Sequence, residues 1–281
     1  MRGIDQFRYD GRRALVVGGA TGMGAAAANV VRDLRATVSV MDLAPVEYET
    51  DQVIEMDLRD KGSIDHAIDQ LGGPVNAVFS AAGIADGPDL MRTNFIGHRH
   101  LIERLLADDL LPRGSAICLI SSVAGMGWEN DLERIKEFLS TPDYASADQW
   151  VKSHDADGLI HYGFSKQAVG AYVALHAFEF LKRGVRINAI CPGPTDTPLA
   201  RANADLWLSF GEDYREATGI QVHQPEQMGN AMAFINSPAA RGVNGITLIV
   251  DSGHAMASLT NAFPPGKAIM DLITGRVKLD A

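Results

Sequence analysis

The 281-residue sequence has few cysteines, no excess of basic residues and no long uncharged apolar run. Its two cysteines, Cys118 and Cys191, each lie in an apolar segment, which is typical of buried, reduced thiols. The polar N-terminal stretch "MRGIDQFRYDGRR" does not resemble a signal peptide, so the sequence predicts a cytoplasmic protein. No stretch reaches the ~18 apolar residues of a transmembrane helix, and we expect no membrane partner.

The charge of the chain argues against nucleic-acid binding. Thirty-five acidic and 25 basic residues give a formal net charge of −10, without a basic cluster. The eight histidines are scattered, and those of "HRH" at 98–100 diverge on a helix, so no metal site is predicted. The sequence contains no repeat and no linker rich in Pro, Gly and Ser. We therefore expect residues 1–281 to form a single domain.

Short apolar runs alternate with helical patterns along the chain. The runs predict strands at 12–19, 36–42, 54–58, 75–83, 115–122, 185–193 and 245–251. This alternation is typical of an α/β fold with a doubly wound parallel sheet, the Rossmann fold. Three segments interrupt it: an insertion at 126–160 with two short amphipathic helices, a loop at 194–224, and a tail at 252–281 without periodicity.

A glycine-rich turn follows the first strand. In "VVGGATGMG" Gly18, Gly22 and Gly24 have the spacing G-x-x-x-G-x-G between a strand and a helix. Such a turn lets the backbone approach a pyrophosphate and directs helix N-terminal N–H groups at its charge. The alternative is that these glycines only form a turn.

Acidic residues follow the second and third strands. Asp42 can accept both hydroxyls of an adenosine ribose and would repel a 2′-phosphate. No arginine or lysine lies in the glycine turn or just after Asp42, so the predicted cofactor is NAD rather than NADP. The alternative for Asp42 is a solvated strand-end acid. Asp57 either faces the adenine or stands at a helix N-terminus.

The segment "HYGFSKQAVG" at 161–170 places Tyr162 and Lys166 on one face of a helix. A free phenol, with a pKa near 10, is too weak a base at neutral pH. Positive charge from Lys166 and an oxidised nicotinamide ring favours the phenolate, which can exchange a proton with an alcohol or carbonyl oxygen. Ser122 ends a central strand at the edge where open α/β sheets bind ligands. It either holds the substrate oxygen or bonds its own backbone.

The ordered motifs over residues 12–253 resemble the short-chain dehydrogenase/reductase family. They are "GGATGMG", Asp42, "SAAG" (80–83), "TNFIG" around Asn94, "ISSVAG", "YGFSK" and "CPGPTDTP". Ser122 and Tyr162 are 40 positions apart, and the long segment between them is similar to the subgroup of 3α-hydroxysteroid dehydrogenase/carbonyl reductase and coniferyl-alcohol dehydrogenase. The chain departs from the family pattern at Val17, where many members have threonine, and at Ser80, where many have asparagine.

The resemblance implies a role for each matching residue. Tyr162 corresponds to the acid/base, Ser122 to the substrate-oxygen donor, and Lys166 to the residue that binds the nicotinamide ribose and lowers the tyrosine pKa. Asn94 corresponds to the asparagine that holds a water of a proton relay. The implied cofactor contacts are Gly18, Thr21, Gly22, Met23, Gly24, Asp42, Leu43, Asp57, Leu58, Ala81, Ala82, Gly83, Tyr162, Lys166, Pro192, Gly193, Thr195 and Thr197.

Large apolar residues of 123–128, 194–222 and the tail are expected to line a substrate pocket. They are Met126, Trp128, Leu199, Leu206, Trp207, Leu208, Phe210, Met256, Leu259 and Phe263. They favour an apolar substrate of steroid or terpenoid size. Together with the resemblance, they imply interconversion of a hydrophobic secondary alcohol and its ketone (EC 1.1.1.-). The alternative is that they form the core of an oligomer.

Two other functions stay open, an NAD-retaining epimerase or dehydratase and a catalytically silent dinucleotide-binding protein. The resemblance implies a homodimer or homotetramer. Because the insertion precedes the tyrosine helix, it is expected to change a tetramer contact and to favour the dimer.

Overall fold

The computed structural model describes residues 3–155 and 158–277, so residues 156–157 of the predicted insertion and 278–281 of the predicted tail lie outside the described residues. Seven parallel strands form one sheet in the order β3-β2-β1-β4-β5-β6-β7. The strands are β1 (Arg13–Val17), β2 (Thr37–Asp42), β3 (Gln52–Glu55), β4 (Ala77–Ser80), β5 (Ala116–Ile120), β6 (Arg186–Pro192) and β7 (Thr247–Val250). This order confirms the doubly wound α/β fold in a single domain.

Helices cover both faces of the sheet. They are α1 (Gly22–Asp33), α2 (Lys61–Asp69), α3 (Gly97–Ala107), α4 (Leu132–Leu139), α5 (Tyr144–His154), α6 (Tyr162–Lys182), α7 (Pro198–Arg201), α8 (Ala204–Trp207), α9 (Glu212–Thr218), α10 (Pro225–Asn236), α11 (His254–Leu259) and α12 (Lys267–Ile273). A π-helical turn, Arg92–Ile96, leads into α3. None of the helices in the described ranges is both long and apolar enough to cross a bilayer.

The sheet separates two apolar cores, because alternate side chains of a strand point to opposite faces. Leu15 and Val17 of β1 belong to the core under α2, α3 and α6, whereas Ala14 and Val16 belong to the core under α1 and α10. The strand order reverses between β1 and β4. The connections after these two strands therefore diverge and open a crevice at the carboxyl edge of the sheet, where such folds bind ligands.

The inserted segment carries α4 and α5, which pack on α6 and on the π-helical turn. The ring of Phe138 in α4 lies 5.5 Å from that of Phe95 and 5.8 Å from that of Phe164, centroid to centroid. Arg92 in the π-helical turn pairs with Asp148 of α5 at 2.7 Å. Aromatic packing and this ion pair thus attach the insertion to the outer side of the helix layer.

Two local predictions were wrong. The third strand is Gln52–Glu55 rather than 54–58, because the apolar run continues past the strand end, where Met56 and Leu58 turn into the core. The tail, predicted without periodicity, forms α11 and α12. Both are only six or seven residues long, and their contacts with the rest of the fold, such as the fully buried Met270, stabilise them.

Candidate active site

The turn after β1 requires glycine at two of its positions. Gly18 has φ +79°, and a Cβ atom there would lie 2.3 Å from the backbone nitrogen of Ala82. A Cβ atom at Gly24 would lie 2.0 Å from the carbonyl oxygen of Gly18. The turn therefore brings the backbone of β1, the start of α1 and the segment after β4 closer together than any other residue type permits.

A first cavity of about 500 Å³ lies in the crevice beside this turn. The glycine turn, the ends of β2 and β3, and residues 81–84 form its wall. The predicted cofactor contacts that line it are Gly18, Thr21, Gly22, Met23, Asp42, Leu43, Asp57, Leu58, Ala81, Ala82, Gly83 and Thr197. Gly24 does not line the cavity and instead packs against Gly18.

Asp42 connects β2 to the glycine turn. Its Oδ2 accepts a hydrogen bond from the Ala20 N–H at 2.8 Å, and its Oδ1 accepts one from the Ala44 N–H at 2.9 Å. Each carboxylate oxygen has a further lone pair. The side chain is thus fixed in the cavity wall and can still accept hydroxyl groups of a ligand.

Asp57 lines the same cavity, but its carboxylate is paired with the Arg59 guanidinium. The Arg59 guanidinium lies 2.7 Å from Asp57 Oδ2, and this pair lowers the pKa of the Asp57 carboxyl. The N-cap of α2 is Asp60, whose side chain accepts from the Gly62 N–H at 2.8 Å. One role considered for Asp57 was at the N-terminus of a helix, but the residue that caps α2 is Asp60.

A second cavity of about 570 Å³ adjoins the first. Residues common to both walls are Met23, Ala81, Gly83, Ile84, Asp86, Thr197 and Leu199. The second cavity is also lined by Ser122, Tyr162 and Lys166, and by the predicted contacts Pro192, Gly193 and Thr195. The crevice therefore brings together the ends of β1, β2, β4, β5 and β6.

Tyr162 begins α6, and Lys166 follows one turn later on the same face. The Lys166 Nζ lies 5.5 Å from the centroid of the Tyr162 ring and donates to the Ile120 carbonyl at 3.1 Å. Tyr162 and Ser122 line the same part of this cavity. Ser122 Oγ accepts from the Ala124 N–H at 3.2 Å, so the serine bonds its own backbone.

The protein's own groups do not lower the pKa of Tyr162. Burial raises this pKa to about 12, although the neighbouring Ser122 side chain opposes the increase. Burial also lowers the pKa of Lys166 to about 8. In the protein alone the expected lowering of the tyrosine pKa is therefore absent, because removing the phenol from water disfavours its charged form.

Lys166→Met is expected to stabilise the fold by about 2 kcal/mol at pH 7. The lowered pKa of Lys166 corresponds to a cost of about 3 kcal/mol for burying its ammonium group, and the substitution removes this cost. About 1 kcal/mol of the gain is lost because the Ile120 carbonyl no longer has a hydrogen-bond donor. Denaturant unfolding measures the difference. The exposed Lys182→Met on the same helix is the control, with an expected change within about 0.5 kcal/mol.

The difference in stability between Lys166→Met and the wild type depends on pH, because protonation of Lys166 is linked to folding. Because the pKa of Lys166 is lower in the folded state, the unfolded chain binds more protons between pH 8 and 10.5. The free energy of unfolding of the wild type rises through this window, so the advantage of Lys166→Met shrinks. An advantage independent of pH would contradict a buried ammonium group at this position.

Asn94 lies behind the cavity wall, in the π-helical turn before α3. Its Nδ2 donates to the Ile84 carbonyl at 3.0 Å and to Ser165 Oγ at 3.1 Å, and its Oδ1 accepts from the Ile84 N–H at 2.8 Å. A Cβ atom on Gly83 would lie 3.3 Å from Asn94 Oδ1 and 3.6 Å from Lys166 Nζ. Asn94 therefore joins the segment after β4 to the helix of Tyr162 and Lys166.

The apolar wall of the second cavity was predicted in part. Leu199, Leu206, Trp207 and Phe210 line it, and the Trp207 ring lies 4.9 Å from the Tyr162 ring. Six other predicted wall residues are absent from its lining: Met126, Trp128, Leu208, Met256, Leu259 and Phe263. Ile269 and Ile273 of α12 line it instead. Their i, i+4 spacing was the available signal in the sequence.

Comparisons with known proteins agree with this geometry. A family model described as enoyl-(acyl carrier protein) reductase matches residues 143–255. The coniferyl-alcohol dehydrogenase of Pseudomonas sp. (strain HR199) is 28% identical over 251 residues, 87% of this chain and 96% of that protein. The 3-alpha-hydroxysteroid dehydrogenase/carbonyl reductase of Comamonas testosteroni is 26% identical over 252 residues, 85% of this chain and 95% of that protein.

The solved structures show the same similarity. The 3-alpha-hydroxysteroid dehydrogenase of Pseudomonas sp. B-0831, complexed with NADH, superposes with a TM-score of 0.69 and 25% identity. The match covers 89% of this chain and 98% of that one. The similarity thus extends over the sheet, the crevice and the segments around it.

Proposed function

Because the chain belongs to the short-chain dehydrogenase/reductase family, we propose that it is an NAD(H)-dependent oxidoreductase that interconverts a hydrophobic secondary alcohol and its ketone. The observation that carries the proposal is the junction of the two cavities at the carboxyl edge of the sheet. One cavity holds Asp42, and the other holds Ser122, Tyr162 and Lys166.

The first cavity fits NAD in shape and in charge. Gly18 and Gly22 line this cavity at the N-terminus of α1 without side chains, which suits a pyrophosphate. Asp42 can accept ribose hydroxyls and disfavours a 2′-phosphate. Arg59 is the cationic side chain in this wall, and its guanidinium is paired with Asp57. These features support NAD over NADP.

Ser122, Tyr162 and Lys166 together can move one proton at the substrate oxygen. The Ser122 hydroxyl holds that oxygen. Tyr162 takes the alcohol proton as the phenolate during oxidation, and as the phenol it returns a proton during reduction. A bound NAD would supply the hydride chemistry at the substrate carbon. Lys166 stabilises negative charge on the phenol. Asn94 and Lys166 Nζ both lie next to Gly83, and Asn94 links Ser165 of α6 to Ile84.

The second cavity supports an apolar substrate. Beside Ser122 and Tyr162 its wall contains the rings of Trp207 and Phe210 and the side chains of Ile269 and Ile273. Apolar walls with a few directed polar groups are typical of sites for hydrophobic small molecules. The names of the two relatives, a hydroxysteroid and a coniferyl-alcohol dehydrogenase, are compatible with such a substrate.

A screen of steroid, terpene and aromatic alcohols with NAD⁺ and NADP⁺ tests the proposal. We expect NADH formation with bulky secondary alcohols and slower reduction of NADP⁺, measured by absorbance of the reduced cofactor. Conversion of substrate without net NADH would indicate an epimerase or dehydratase. Binding of NADH without any turnover would indicate a silent dinucleotide-binding protein. Either result contradicts the proposal.

The packing of the insertion also supports a homodimer rather than a homotetramer. Because α4 packs on α6 and α5 on the turn before α3, this side of the helix layer is covered within one chain. Sedimentation equilibrium distinguishes the two assemblies, and a tetramer would exclude the dimer.

A further inference from the structure

His98 and Ser80 form a buried polar pair behind residues 81–84, which line the first cavity. Ser80 ends β4, and His98 lies on α3 one turn after Asn94; their side chains are 3% and 2% exposed. Ser80 Oγ hydrogen-bonds with His98 Nδ1, and His98 Nε2 lies 2.9 Å from the Ala82 carbonyl oxygen. None of the roles assigned above uses either side chain.

The partners of His98 determine its tautomer. A carbonyl oxygen only accepts hydrogen bonds, so Nε2 carries the proton that it donates to Ala82. Burial and the nearby charge of Lys166 hold the pKa of His98 at about 4, so the ring is neutral and Nδ1 has a free lone pair. The Ser80 hydroxyl therefore donates to Nδ1. Each of the two hydrogen bonds of His98 thus has a defined donor and acceptor, and together they fix the orientation of the imidazole ring.

The hydrogen bond from His98 orients the Ala82–Gly83 peptide. The two polar groups of a trans peptide point in opposite directions, so holding the Ala82 carbonyl toward α3 turns the Gly83 N–H away from that helix. Two hydrogen bonds between Asn94 and Ile84 hold the next part of the segment. Ala82 packs directly against Gly18, and both Ala82 and Gly83 line the first cavity. The orientation of the Ala82–Gly83 peptide therefore shapes the cavity wall beside the glycine turn.

We propose that His98 is a positioning residue for the dinucleotide: its Nε2–H holds the Ala82 carbonyl on the α3 side and thereby fixes the Ala82–Gly83 peptide in the wall of the first cavity. Ser80, at a position where many family members have asparagine, orients the histidine for this contact. The identity of the bound group rests on the function proposed above. The assigned orientation of His98 does not depend on that proposed function.

Two isosteric variants separate positioning from general stability. The amide of His98→Gln reaches the place of Nε2 and can still donate to Ala82, whereas the shorter amide of His98→Asn reaches only the place of Nδ1. We expect His98→Asn to raise the KM for NAD⁺ and the Kd for NADH about tenfold, the effect of one hydrogen bond, with kcat unchanged. His98→Gln is expected to keep the wild-type values. Thermal unfolding should show a similar loss of stability in both variants.

Equal cofactor constants in the two variants would overturn the proposal, since a merely structural histidine would affect both alike. The ¹⁵N shifts of histidine-labelled wild-type protein provide a second test that requires neither a variant nor turnover. We expect the Nε2–H tautomer for His98, and the Nδ1–H tautomer would equally overturn the proposal. If the wild type showed this tautomer but did not bind NADH, the proposed function would fail and the assigned orientation would stand.

Discussion

Tyr162→Phe is expected to lower kcat by at least about 100-fold, the lower range of general acid–base contributions. The substitution removes the hydroxyl from the cavity that Ser122 also lines and leaves the ring against Trp207. The cofactor cavity does not depend on this hydroxyl, so the Kd for NADH should stay near that of the wild type. Single-turnover kinetics with saturating NAD⁺ measure the loss in the chemical step.

Tyr172→Phe provides a matched control on the same helix. Its hydroxyl is buried and, in the part of the chain that the structure describes, has no hydrogen-bond partner. Removing it deletes the same atom from α6 but costs no hydrogen bond, so neither kcat nor stability should fall. If Tyr162→Phe retained wild-type turnover, or if both variants lost activity equally, the phenol of Tyr162 would not be the proton carrier.

Asp42→Ala is expected to reduce the preference for NAD⁺ over NADP⁺ at least tenfold, which corresponds to about 1.4 kcal/mol. The carboxylate lies in the cavity wall, and its charge would face a 2′-phosphate at short range. The variant also loses two acceptors for backbone N–H groups, of Ala20 and Ala44, so affinity for NAD⁺ should fall as well. The ratio of kcat/KM for the two cofactors measures the preference.

Asp51→Ala separates cofactor discrimination from loss of charge. Asp51 also accepts a backbone hydrogen bond, from the Val38 N–H at 2.7 Å, but it does not line the cavity. This variant has the same change in net charge and should keep the wild-type cofactor ratio. If Asp42→Ala left the ratio unaltered, Asp42 would have no part in rejecting the 2′-phosphate.

The sequence predicted most of the sheet because a buried parallel strand is a short, continuous apolar run. β5 is buried along its whole length, and its run "AICLI" identifies it without further information. Boundaries were less predictable at the sheet edge. The strand β3 has one buried residue, Ile54, so the apolar run beside it indicated a strand two residues too late.

The pKa of Tyr162 shows why electrostatics could not be predicted from spacing. The separation of Tyr162 and Lys166 by four positions places an ammonium near a phenol, but it contains no information on burial. The structure places both groups in the crevice, where loss of water raises the pKa of the phenol and lowers that of the amine. The sign of each change depends on the surroundings rather than on the pair.

The sequence by itself determined what local backbone geometry controls: the alternation of strands and helices, the glycine turn, and the shared face of Tyr162 and Lys166. Only the tertiary structure decided which distant segments meet, because long-range packing has no fixed spacing along the chain. It placed Ile269 and Ile273 in the cavity wall and His98 against Ala82. It also decided which polar groups lose their water, since burial is a property of the complete fold.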